Sequence, residues 1–467
     1  MYIITGSGIS SLFLAELLMR KIHNGKEIIL VESSDQIGGL FGTLRHDEYT
    51  IFDIGMHTVQ FTGNSEIDEI IEAIYSKNDW YRYKAPLHDV SGTIIGTQIF
   101  ENSPYFDLDY FDKEVKNKLS IELKEHLGKK RVKNVLESNK FTNATSFLVN
   151  QFSKALADST YIDALHQRYR TTPESLDPIA TKLTPMNRLV VRDLFSEREI
   201  LENDDIRSTI AWPNQRNLPS NLSSNLDVIY PRNSGIHLLI DKMQKKLVEQ
   251  GVKILKNSKI VKIETKNKRA KVVSVQQKSK TELFKVDNLF WTGNVSNLIG
   301  LLDDHKPNYV PDNPLQTVIA TIKTDSHSIR KSDCLYYFSY LNKNGLYRLN
   351  NYLAYHEQFK HKNLGLLSME YLIPKEINLT RQQIISDITD IQFVDGVMDP
   401  GQIEIHHLPF GHPYPSSNNI SIESNLLNKF TALSISNIKI FGSSLSQNRF
   451  FQRDILLNLR EVIAHVS

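Results

Sequence analysis

The sequence predicts an α/β protein in which one domain with a parallel sheet is interrupted by a helical segment and by a β-rich segment. Three observations carry that prediction. The chain opens on "MYIITGSGISSLFLAELLMR" and continues with "IILVESSDQIGGLFG", which reads as apolar strand, glycine turn, helix and second apolar strand within the roughly thirty residues a βαβ unit needs. From Phe106 to about Ser196 the pattern is polar and helical, with few strand signals. The tail "IKIFGSSLSQNRFFQRDILLNLREVIAHV" returns to strand, glycine and helix, so the two ends of the chain are expected to share one sheet.

Taken in order, Tyr2–Thr5 and Glu27–Glu32 read as strands buried on both faces, with Ser10–Lys21 as the helix between them. The stretch "FDKEVKNKLSIELKEHLGKKRVKNVLESNK" and the one that follows it form an inserted helical cap, whose basic run Lys129, Lys130, Arg131 and Lys133 reads as a solvated helix face. In "GIHLLIDKMQKKLVEQG", Ile236, Leu239, Ile240, Met243 and Leu247 recur at helical spacing, and Gly251 sits where the helix should stop. Short β-rich runs such as "QTVIATIKT", "CLYYFSYL" and "GLLSMEYLIP" dominate from Leu315 to about Ile420. The expected division is residues 1–105, 221–300 and 426–467 for a cofactor domain, 106–220 for the helical cap, and 301–425 for a mixed β-sheet substrate domain.

Composition narrows the function classes. A chain of 467 residues exceeds one compact core and suggests two or three domains. Its 55 basic and 53 acidic residues leave a net charge of +2, so no global field favours nucleic acid. Cys334 is the single cysteine, which excludes a disulfide framework and a cysteine-based zinc site and fits a reducing cytoplasm. It reads as a packed strand residue rather than a reactive thiol. The first twenty residues lack the basic stretch of a signal peptide, and Glu16 breaks their apolar run. No run is long and apolar enough to span a bilayer. Homo-oligomerisation is left open.

The opening turn, Gly6-Ser7-Gly8-Ile9-Ser10-Ser11, matches a dinucleotide-binding fingerprint whose third glycine is replaced by Ser11. Glycine at the first position permits the tight turn, and at the second it lets backbone approach a pyrophosphate. The helix start around Ile9 and Ser10 offers amide donors and partial positive charge to that pyrophosphate. Glu32, followed by Ser33, ends the next strand where a carboxylate accepts hydrogen bonds from ribose hydroxyls, and its charge disfavours a 2′-phosphate. Gly38 and Gly39, followed by Leu40, keep side chains away from a second run along the cofactor.

These motifs resemble the amine-oxidase-like group of FAD enzymes, within it the branch of UDP-galactopyranose mutase and protoporphyrinogen-oxidase-like proteins. The likeness continues through "FDIGMHTVQFTGNSEIDEII", where Asp53, Gly55 and His57 match an Asp-x-Gly-x-His element beside the isoalloxazine. "SKALADSTYIDALHQRYRTTPESLDPIA" is similar to the helical segment that shapes the substrate pocket, and "YPRNSGIHLLIDKMQKKL" to a Tyr-Pro-x-Gly-Gly segment of which Gly235 remains. The resemblance implies main-chain contact to adenine at Val261, and an Arg and a Glu near the substrate in "GLYRLNNYLAYHE" and "SMEYLIP". At the C-terminus Gly442 and Asp454 match positions facing the flavin ribityl and pyrophosphate. Ser443 stands where relatives carry arginine, and Arg449 or Arg453 is the compensating candidate. The resemblance thus implies a Rossmann-like FAD-binding domain with FAD as cofactor.

The reaction expected from a bound flavin is hydride removal from a small molecule, for which a sugar-linked intermediate of cell-surface glycan synthesis is a candidate. A redox-neutral nucleotide-sugar mutase using reduced FAD, and a non-catalytic flavin binder, are the alternatives. Candidate catalytic residues are His57, Arg348, Tyr336 and Tyr352; candidate substrate contacts are Arg168, Tyr337, Arg348 and Glu370. For each arginine a structural ion pair is an equal reading, and for each tyrosine a half-buried strand position is the favoured one. His406, His407 and His412 cluster in "IEIHHLPFGHPYP", but adjacent histidines on a strand face opposite ways, so no metal is expected.

Overall fold

A computed structural model of the protein describes residues 1–55, 57–84, 91–101, 103–129, 141–222, 226–302, 311–355, 363–408, 411–464 and 466. Part of the basic run after Lys129, and Pro409, lie outside them.

Five parallel strands form the sheet expected of the chain ends. Their spatial order is Lys253–Leu255, Ile28–Val31, Tyr2–Thr5, Asn288–Trp291 and Ile438–Ile440. Ile3 stands opposite Ile29 on one side and Leu289 on the other. The three central strands are almost wholly apolar because helices and a second sheet cover both faces. The helix Ile9–Ile22 packs on one face between the helices Ser65–Ile74, His237–Glu249 and Gln452–Ile463. Glu16 interrupts its apolar side without exposing it, since Lys246 reaches the buried carboxylate at 2.6 Å. On the opposite face lies the three-stranded meander Ser258–Lys266, Arg269–Gln277 and Lys280–Lys285. All five apolar positions picked out in the helix at 236–247 are buried, and Gly251 follows the helix end at φ +93.

The substrate-side sheet has seven strands, in the order Ile403–His407, Leu315–Asp325, Leu364–Pro374, Leu346–Asn351, Tyr336–Tyr340, Ser91–Ile95 and Gln98–Phe100. The last two depart from the expected boundary at residue 105. Ser91–Ile95 pairs in parallel with Tyr336–Tyr340, so the first cofactor segment ends before it. Its five residues are all buried, and such a run reads alike in either sheet; only the distant pairing decides. One face of this sheet carries the helix Arg381–Asp390 over Val318, Ala320, Met369 and Tyr371.

The other face receives the helical segment. There Lys154–Ala157 and Asp163–Tyr169 are joined by a wider π turn at Asp158–Ile162, a local register change common at functional sites. Cys334 is buried immediately before the strand Tyr336–Tyr340. Among the described residues no helix is long and apolar enough to cross a membrane.

Asn437 ties the edge strand to the meander. Its amide donates to the Ala270 carbonyl at 2.9 Å and the Asp287 carbonyl at 2.8 Å, and its oxygen accepts from the Ala270 N–H at 2.8 Å. Asn437→Ala is expected to destabilise the protein by about 2–4 kcal/mol, because buried backbone groups lose their partners. Thermal unfolding of the two proteins measures this, and an unchanged midpoint would contradict it.

Candidate functional site

Backbone from two distant glycine pairs meets at the mouth of the parallel sheet. Gly8 and Gly38 form a parallel bridge, with the Gly38 amide donating to the Ser7 carbonyl at 3.0 Å. Gly38 and Gly39 have φ of +109 and +56, conformations that side chains disfavour. A side chain at Gly8 would meet no atom within 4 Å, so the turn faces open space. The helix behind it has no side-chain cap and no acidic residue in its first turn, leaving the first amides, at Ile9 and Ser10, free of intrahelical partners. Ser11 fills the third glycine position by turning its hydroxyl onto the Thr5 carbonyl at 3.1 Å, which keeps helix and strand close.

Glu32 stands at the rim. Ser7 donates to one of its oxygens at 2.7 Å, while the Ser34 amide, at 2.8 Å, and the Ser33 hydroxyl, at 3.3 Å, donate to the other. These contacts fix the carboxylate plane and leave further acceptor capacity. The backbone of Glu32 also bonds Leu255 and Ser258, which brings the start of the meander alongside. Val261 lies in a β-bulge there, absent from the register between Ile260 and Lys262, so its main chain is not committed to the ladder. Leu40 is exposed, and Phe41 after it stacks on His57 at 5.0 Å.

At the far side Gly442, with φ +91, lies near Ser10 and Thr292. Ser443 is exposed. Arg449 folds back so that its Nε donates to the Gly442 carbonyl at 3.2 Å, placing a guanidinium next to the missing arginine's position. Arg453 instead bonds the Thr62 carbonyl. Asp454 sits in the first turn of the helix Gln452–Ile463, half-buried, its carboxyl raised by burial against the nearby positive charges of Arg453 and Lys182.

The Asp-x-Gly-x-His element runs from this groove to the seven-stranded sheet. Asp53 is buried, accepting from the Tyr230 hydroxyl and, at 2.8 Å, from the Ile236 amide. Burial pushes its carboxyl up to about 7 despite both hydrogen bonds. Gly55 at φ +78 passes so near Arg348 and Glu370 that an added Cβ would stand 2.8 Å from the guanidinium. Arg348 forks onto Glu370 through Nε at 2.6 Å and Nη2 at 2.9 Å. Tyr347 and Asn350 complete the carboxylate's partners. Burial alone would raise Glu370, but the Arg348 guanidinium overrides it and holds the carboxyl below its usual range. His57 is lowered to about 4, first by burial and then by Arg348, so its imidazole is neutral.

Strand geometry sorts the remaining candidates. Tyr336 is half-buried on the side of Arg348. Tyr337 points to the opposite face, where its ring meets Phe393 and its hydroxyl meets Ser332, because neighbours on a strand alternate; it does not join the cluster. Tyr352 is buried too, accepting from the Asp53 amide at 3.2 Å. Its place is in the packing behind the site rather than at its surface. Glu370 is likewise saturated by protein partners.

Arg168 is buried, donating to the Thr184 hydroxyl and the Ser339 carbonyl beneath the rings of Tyr340 and Tyr347. Burial lowers it, and its nearest titratable neighbours are the phenols of Tyr169, Tyr340 and Tyr347, which burial keeps protonated. His406 and His407 bond Thr321 and Gln316 on opposite faces. Among the described residues no three His, Cys, Asp or Glu side chains converge as metal ligands.

Sequence reasoning missed Tyr347 and Tyr169, and weighed His412 only as part of a histidine cluster. A bulge between Leu346 and Arg348 drops Tyr347 out of the ladder, which lets its hydroxyl reach Glu370 on the same side as its neighbour. Strand alternation carried no signal for that.

The NAD(P)-binding Rossmann-like domain family matches residues 4–74. A reduced UDP-galactopyranose mutase superposes at TM-score 0.71 with 16% identity, over 100% of this chain and 93% of the other. The chain carries the fold of that mutase. A protein of Exiguobacterium sp. 255-15 described as a protoporphyrinogen oxidase superposes at TM-score 0.63 with 14% identity, over 100% of this chain and 98% of its own. The CLA-producing fatty acid isomerase of P. acnes does so at 0.55 with 11% identity, over 100% and 98%. At such identities the likeness is one of fold. No protein of curated function matches the sequence.

Asp53 gives the site a pH signature. Its folded value lies above that of an unfolded carboxyl, so its contribution to stability is greatest below about pH 4 and is lost as pH rises towards 7. Asp53→Asn does not titrate, so the wild type should lose stability relative to this variant between pH 5 and pH 8. Melting temperatures of both proteins across that range measure the difference, and parallel curves would contradict it.

Proposed function

We propose that the chain is an FAD-dependent oxidoreductase acting on a small molecule, with a sugar-linked metabolite of glycan synthesis as the candidate substrate. One observation carries this reading: an uncapped helix start, two opposed glycine turns and a fixed carboxylate line one groove that ends at His57 and Arg348. The residues fit an extended dinucleotide. Glu32 would accept the ribose hydroxyls, the amides at Ile9 and Ser10 would meet the pyrophosphate, and the Val261 main chain would meet adenine. Gly442 leaves room on the ribityl side, with Asp454 at the helix start beyond it. Arg449 supplies the positive charge that the position of Ser443 lacks.

When bound, FAD supplies a hydride acceptor at N5. The chain's own share is to place a substrate carbon there and to exclude water. His57, neutral and stacked on Phe41, offers a ring nitrogen without a charge. Arg348, held rigid by Glu370, fixes a cation at the substrate end. Tyr336 contributes a half-buried wall.

A second reading, redox-neutral isomerisation of a nucleotide sugar, is favoured by two particulars. The fold likeness to a reduced UDP-galactopyranose mutase is extensive, and Arg168 and Arg348 both flank the Tyr347 ring, a cationic surround suited to a diphosphate.

Anaerobic assays separate the two. An oxidoreductase turns over only while an electron acceptor is consumed; an isomerase converts UDP-galactopyranose to the furanose with reduced flavin and no acceptor. Activity of the second kind would overturn the first reading. For the cofactor itself, Glu32→Ala is expected to weaken FAD retention by about 1–3 kcal/mol, the scale of lost charged hydrogen bonds. Flavin absorbance after gel filtration measures it, and full occupancy in the variant would count against Glu32 as the ribose ligand.

A further inference from the structure

His412 lies on the loop that follows the edge strand Ile403–His407, and its ring enters the same cluster from the side opposite His57. It packs 5.5 Å from the Tyr347 ring, 6.1 Å from Tyr169 and 6.1 Å from Phe450. Those three neighbours come from the seven-stranded sheet, the helical segment and the carboxy-terminal cofactor segment. His412 is thus where all three parts of the molecule meet. Its main-chain N–H is held by the Thr317 hydroxyl at 3.0 Å, and its Nε2 bonds the Tyr169 hydroxyl at 3.1 Å. Among the described residues its Nδ1 has no hydrogen-bond partner, and because the ring is half-buried that nitrogen is open to a ligand or to water.

The surroundings also settle its charge. Burial first, then Arg168 and Arg348, bring the imidazole down to about 3 against the weaker pull of Glu370. The buried Arg348–Glu370 pair is therefore flanked by two neutral imidazoles, His57 next to the double-glycine turn and His412 next to Phe450. A neutral imidazole with one nitrogen anchored presents a single directed donor or acceptor at the other.

We infer that His412 is a substrate-contacting residue of this site, its Nδ1 meeting an uncharged hydroxyl or carbonyl oxygen of the ligand while Tyr169 holds the ring in place. This rests on the proposed function for the identity of the cleft, and it adds the chemistry of one ligand group: an oxygen that carries no charge, set between two guanidinium groups that suit an anionic group elsewhere on the same molecule.

The test is diethyl pyrocarbonate labelling of the full chain loaded with FAD, mapped by mass spectrometry, with the exposed His166 and His327 as internal standards. His412 should label more slowly than they do but measurably through its Nδ1, and UDP-galactose, galactose 1-phosphate or galactose should protect it selectively. His412→Gln, which keeps an amide near the Nε2 position, should bind the protecting probe about tenfold more weakly. His412→Asn, which restores an amide near Nδ1, should bind it within about threefold of the wild type, and FAD occupancy should be unchanged in both.

Protection by a monophosphorylated or uncharged sugar alone supports the contact and removes the nucleotide-sugar reading. An unlabelled His412, no protection by any of the three probes, or a Gln variant that binds as the wild type while the Asn variant does not, overturns the inference; the last outcome reduces His412 to a support for Tyr169. Labelling does not depend on the flavin signal, so failure to take up FAD counts against the proposed function and not against the contact.

Discussion

A charge pair taken out of water survives only with good geometry and with its remaining hydrogen-bonding capacity filled. Arg348 and Glu370 meet both conditions through a bidentate fork completed by Tyr347 and Asn350, and much of the site is arranged around them. The strands Leu346–Asn351 and Leu364–Pro374 must lie in the register that sets the two side chains abreast. The Asp53–His57 segment must cross them without a side chain at Gly55. Burial is the main cause that keeps both neighbouring imidazoles neutral, and the same guanidinium adds to it at each. One ion pair of the seven-stranded sheet therefore lies directly against the segment at Gly55 and adds to the effect of burial on the histidines beside it.

The dinucleotide groove shows how departures from a motif are absorbed locally. Ser11 occupies a position where glycine usually allows helix and strand to touch, and its hydroxyl joins that of Thr292 in donating to the Thr5 carbonyl. Ser443 lacks a charge, and a four-residue turn brings Arg449 back over Gly442. Each compensation uses a residue close in sequence, so the local geometry is kept although two of the motif positions differ.

The parts of the fold governed by local pattern were readable from the residues. Periodicity marked the βαβ opening, the helix at 236–247 and the β-rich stretch after Leu315, and spacing pointed to Glu32 and the paired glycines. Long-range pairing was not readable. Ser91–Ile95 carries no mark of which sheet it joins, and Tyr337 differs from Tyr336 only in the face that strand phase assigns it. Tyr352 was selected by residue type and Glu370 by family resemblance, and neither says anything about burial. His412 was weighed for metal binding because two other histidines stand near it in sequence, whereas its actual neighbours, Tyr169, Tyr347 and Phe450, are distant.

The strand order of the parallel sheet also bears on how the molecule is made. Tyr2–Thr5 pairs on one side with Ile28–Val31, available at once, and on the other with Asn288–Trp291, which in turn waits for Ile438–Ile440. A chain leaving the ribosome amino end first therefore carries a bare edge on Tyr2–Thr5 until Asn288–Trp291 has been made. Closure of that sheet is a high-contact-order event, and the face around the helix Ile9–Ile22 is complete only once the helix Gln452–Ile463 has docked. Nascent chains of this architecture have a long interval in which chaperones, or a neighbouring polypeptide, can reach the open edge.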